Sequence, residues 1–78
     1  MGEQKIKQDE IHIGENIRAI RKSQGMGQTE LVRRLQLLGV EMTRETLVKI
    51  ERGIQHIQAV QLRGIRDVLG TSYDELLK

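Results

Sequence analysis

Between Thr43 and Gly53 the chain reads TRETLVKIERG, and its side chains fall into two sets. Leu47 and Ile50 are apolar and share one side of a 3.6-residue period, the signature of a helix face that packs inward. Arg44, Glu45, Val48 and Lys49 are spread over the rest of that helix. A helix that buries so few positions leaves a broad polar face free, and the partner expected for it is the major groove of DNA. Other chemistries are poorly supplied. His12 and His56 are the only histidines and the chain has no cysteine. Neither histidine is expected to find a ligand partner three or four residues on, so no metal and no cofactor is expected. No serine–histidine–acid set, glycine-rich phosphate loop or pair of carboxylates stands out. Ser23, Ser72 and the scattered acids suit helix ends and surface, and an enzyme is not expected.

The elements that must position this face can be read outward from it. Thr43 is a good N-cap, with Met42 and Leu47 spaced as a hydrophobic staple. Before it, Leu31, Val32, Leu35 and Leu38 form one face of a second helix, opening at Gly27 and stopping at Gly39. The turn from Gly39 to Thr43 has a length usual for a helix-turn-helix. Ile13, Ile17 and Ile20 predict a first helix from about Ile13 to Gln24, with Arg21 and Lys22 favoured by the dipole of its last turns. Beyond Gly53 lies a polar loop, IQHIQ. A fourth helix follows from about Gln58 to Leu69, its apolar face Leu62, Ile65 and Leu69. Gly64 inside it costs roughly 1 kcal/mol relative to alanine unless a neighbouring backbone packs closely there. Ser72-x-x-Glu75 is the capping box of a last short helix.

The pattern is therefore all-α, a compact five-helix bundle containing a helix-turn-helix. The 78 residues make one domain, with residues 1–11 expected as a flexible N-terminal tail and 12–78 as the folded unit. No proline, a single aromatic residue and a core of leucine and isoleucine argue against a sheet. Lack of cysteine, of a long apolar run and of a signal-peptide pattern points to a soluble cytoplasmic protein with no membrane partner. Net charge is +2. Residues 11–53 hold eight basic groups against five acidic, residues 1–10 two against three, and residues 54–78 three against three. The excess thus coincides with the proposed reading helix, as contact with phosphate would require. An ordinary solvated mixed-charge surface has the same balance, and charge alone does not separate the two.

Three ordered blocks carry a resemblance. IGENIRAIRKSQGMGQTEL, TRETLVKIERG and LRGIRDVLGTSYDELL are similar to the first, recognition and last helices of lambda-repressor-like, Cro-type (XRE family) helix-turn-helix domains. The resemblance spans residues 13 to 77. Three departures accompany it. Gly27 stands where serine or threonine is usual, and Val32 stands where alanine allows a close helix crossing. QLLGVEM is longer than the common family version, which implies nearly one more turn on the second helix and a slightly longer connection.

The resemblance implies a sequence-specific regulator of double-stranded DNA, expected to be a repressor and a homodimer, in the cytoplasm of a bacterium or a phage host. Arg44, Glu45, Val48 and Lys49 would read bases, although a solvated helix face carrying a Glu45–Lys49 pair is the plainer alternative. Gln28 and Thr43 would contact phosphate, Thr43 while also capping. Arg52, Gln55 and His56 would do so too, or would form a solvated loop. Arg21 and Glu51 would form a partly buried ion pair that fixes the angle of the reading helix. Two dimer surfaces are offered, Tyr73, Leu76 and Leu77 ahead of Leu37, Val40 and Met42, with a place in the core as the alternative for all six. The same fold used as a protein-interaction module, an antitoxin or anti-regulator, is the alternative function.

Overall fold

Ile13, Ile17, Leu31, Leu35, Leu47, Ile50, Ile57, Ile65 and Leu76 are fully shielded from solvent. Ile13 and Ile17, Leu31 and Leu35, and Leu47 and Ile50 recur at helical spacing, and burying them with Ile65 and Leu76 draws five helices round one core. The computed structural model describes residues 5–6 and 12–78. The helices are α1 (Ile13–Ser23), α2 (Gln28–Leu37), α3 (Arg44–Glu51), α4 (Ala59–Leu69) and α5 (Tyr73–Leu77). The expected all-α bundle is the one observed, with a short antiparallel pairing added. Strand β1 (Lys5–Ile6) lies against β2 (Ile57–Gln58), in the register Lys5 to Gln58 and Ile6 to Ile57. That pairing was not anticipated within a tail; the remainder of 1–11 lies outside the described residues. Nor is the IQHIQ stretch simply a polar loop, since Ile57 fills the core from it.

Local chemistry explains where α2 and α3 begin and end. At the end of α2, the N–H of Gly39 donates to the carbonyl of Gln36 at 2.9 Å and that of Val40 to Leu35 at 2.9 Å. This double closure needs a left-handed residue at its centre, and Gly39 has φ of 82°. Gly53 closes α3 in the same way, with φ of 76°. Thr43 caps α3, its Oγ1 accepting the N–H of Thr46 at 3.1 Å. At α5, Ser72 Oγ accepts the N–H of Glu75 at 3.2 Å, while the Glu75 carboxylate turns to Lys78. Only half of the expected capping box is therefore made.

The long connection between α2 and α3 is anchored from three sides. Gln36 Nε2 donates to the carbonyl of Met42 at 3.0 Å. Met42 is buried in the core, and Val40 packs against it. Val40 also sits over Gly64 of α4: a Cβ there would lie 3.0 Å from Val40 Cγ2 and 3.0 Å from Leu35 Cδ2. A methyl group at Gly64 would thus be crowded by side chains, not by a neighbouring backbone. α5 is tied back to α1 by Asn16, whose Nδ2 donates to the carbonyls of Leu76 at 2.9 Å and Lys78 at 3.1 Å. Both expected dimer surfaces lose members to this core. Leu76 and Met42 are buried and Leu77 and Val40 pack against the core, leaving Tyr73 and Leu37 at the surface.

Candidate nucleic-acid interface

α3 turns Leu47, Ile50 and Glu51 inward. Arg44, Glu45 and Lys49 are exposed and Val48 is half-buried. At a helical rotation of 100° per residue these four positions span an arc of about 140°, most of the side opposite the core. Glu45 and Lys49, one turn apart, do not form an ion pair with each other. Among the described residues Arg44, Glu45 and Lys49 have no ion-pair partner, so the face carries two cations, one carboxylate and a methyl-bearing side chain toward solvent.

The pose of that face is set by a buried polar cluster at the far end of α3. Arg21 of α1 donates from Nε to Glu51 Oε2 at 2.8 Å and from Nη2 to Glu51 Oε1 at 2.9 Å. Its third bond, from Nη1 to the carbonyl of Met26 at 2.8 Å, reaches the loop before α2. Arg21 and Glu51 are 7 % and 5 % exposed. A bidentate guanidinium–carboxylate pair in so dry a place is directional and weakly screened, and it links α1, α3 and the α1–α2 loop in one geometry.

Gln28, the first residue of α2, joins the same cluster: its Nε2 donates to Glu51 Oε1 at 3.0 Å. The helix end around it is open. Gly27 offers no side chain to cap it. The first backbone N–H of this turn with a helical acceptor is that of Leu31, which donates to Gly27 at 3.1 Å. Free donors at the positive end of a helix, beside an amide, suit an anionic oxygen. Thr43 is exposed at the start of α3, and Arg52 and His56 are exposed beyond its end. Gln55 is half-buried and hydrogen-bonded within the chain. Arg52 lines a shallow cleft with His12, Glu15, Glu51 and Gly53. Here His12 does meet an acid three residues on: its Nδ1 is 3.8 Å from Glu15 Oε2. No cluster of metal-ligating side chains occurs among the described residues.

The sequence signal missed entirely is the bond from Gln28 to Glu51. It depends on how α2 crosses α3, which periodicity does not encode. Two short helices joined by a turn, the second held by its inner face and open on its outer one, define a helix-turn-helix protein. A helix-turn-helix family model matches residues 17–76, and the chain belongs to that family, in its XRE, lambda-repressor-like branch. No curated protein and no solved structure matches the chain significantly. The family consists of DNA-binding regulators, and this chain is a DNA-binding domain of that type. No helix among the described residues is long and apolar enough to cross a membrane.

Proposed function

We propose that the chain is a sequence-specific transcriptional repressor that binds double-stranded DNA as a homodimer, with the first turns of α3 in the major groove. The observation that carries this reading is the outer face of α3, where Arg44, Glu45 and Lys49 are exposed on a helix whose inner face is locked by Leu47, Ile50 and Glu51. Arg44 holds guanine O6 and N7 with two parallel bonds, and Lys49 reaches a guanine or a phosphate. Glu45 accepts from cytosine N4, and Val48 packs on a thymine methyl. Gln28 and Thr43 at the helix starts, with Arg52, Gln55 and His56 past the end of α3, contact the sugar–phosphate backbone and set the register. Two copies then meet half-sites one helical turn apart.

Titrating mixed-sequence duplex DNA while salt is varied tests the reading. Affinity is expected to fall steeply, by a linear log–log slope, between about 50 and 200 mM salt. Absence of binding at the low end by folded protein would contradict it. A protein-interaction module is the second reading, favoured by two apolar side chains at the end of α2: Leu37 is 79 % and Leu38 57 % exposed. That reading expects the same titration to be flat.

A further inference from the structure

We infer that Glu51 is a positioning residue for the phosphate contact: through Gln28 it holds an amide ready at the open end of α2, so that backbone anchoring and the pose of α3 depend on one carboxylate. The inference rests on the DNA-binding reading above.

Glu51 Oε1 receives two donors, Arg21 Nη2 at 2.9 Å and Gln28 Nε2 at 3.0 Å, while Oε2 receives Arg21 Nε at 2.8 Å. The Glu51 side chain is only 2 % exposed, so this corner of the Gln28 amide is held in a dry, rigid setting. Gln28 itself is half-buried. A glutamine amide has a second N–H and a carbonyl oxygen. Among the described residues neither meets a partner in Gln28. The amide is therefore pinned on its inner side and available on its outer side, next to the uncapped N–H groups of α2. A glutamine at a solvated helix end samples several rotamers and loses that freedom when it binds. One already held loses less, so more of its bond to phosphate is realised as affinity. The carboxylate that sets Gln28 is also the last residue of α3, so a displacement of the reading helix would displace the phosphate contact with it.

The test is a coupling measurement. Affinity for a mixed-sequence duplex at one low salt concentration is read for the wild type, Gln28→Ala, the paired Arg21→Met/Glu51→Leu, and the triple variant, with folding checked by thermal unfolding. Replacing both members of a buried ion pair by apolar residues removes the carboxylate without leaving a lone charge. Gln28→Ala is expected to weaken binding roughly tenfold in the wild type. In the paired background the loss should be less than about threefold, because Gln28 is no longer held. Equal losses in the two backgrounds, or no loss in the wild type, would overturn the inference while leaving DNA binding in place. No binding by the wild type to any duplex would remove the DNA-binding reading and the inference together. Should the paired variant not fold, side-chain amide relaxation of Gln28 in the free wild type decides. An ordered amide supports the inference, and an order parameter below about 0.6 overturns it.

Discussion

Arg21 and Glu51 show how much of this molecule turns on single side chains. Both are charged and almost inaccessible, and the carboxylate survives burial because three donors converge on it. Removing one partner leaves the other charge dry and alone. Glu51→Ala is therefore expected to lower stability by about 3–5 kcal/mol, whereas Arg21→Met/Glu51→Leu should cost far less. Denaturant unfolding of the two variants checks this, and equal losses would show that the pair itself, not an orphaned charge, carries the energy. The two residues could be named from the chain because they stand at positions that pair in similar domains. Gln28 could be named only as a contact to phosphate. Its hold on Glu51 comes from the crossing of two helices, a tertiary fact that spacing along one helix does not contain.

At the scale of the elements, the turns were the most legible part. Gly39 and Gly53 mark helix ends in the sequence, and both have positive φ. The three-sided anchoring of the stretch between α2 and α3 was not legible. QLLGVEM could be recognised as longer than usual, yet where the extra residues go depends on α4, whose Gly64 makes room for Val40. This gives a sharp expectation. Alanine is favoured over glycine in a helix by about 1 kcal/mol, but overpacking a filled core typically costs about 1–3 kcal/mol. Val40 is β-branched and cannot swing aside as readily as the tip of Leu35. Gly64→Ala should destabilise the protein, and the penalty should shrink in a Val40→Ala background. Equal penalties in the two backgrounds, measured by a double-mutant cycle in denaturant, would contradict the packing described for this turn.

Across the whole molecule, the core is larger and the apolar surface smaller than the sequence suggests. Leu76 and Met42 stand among the candidate dimer residues in the sequence, but long-range packing buries both. Ile57 is hard to read for a similar reason: two isoleucines in the short polar stretch IQHIQ set no periodicity, and the structure buries Ile57, on β2, while leaving Ile54 exposed. The surface carries an open face on α3, an open end on α2 and exposed apolar side chains that include Leu37, Leu38 and Ile54. In the proposed function α3 is the reader and the rest of the bundle is its mount. The most direct test begins with an unbiased selection of bound duplexes from the wild type. The affinities of wild type and Arg44→Ala are then compared on the selected site and on a mixed-sequence duplex at equal salt. The substitution should cost about 1–3 kcal/mol on the selected site and almost nothing on the mixed duplex. Equal losses on both would mean that Arg44 touches only phosphate and that α3 does not read sequence through it.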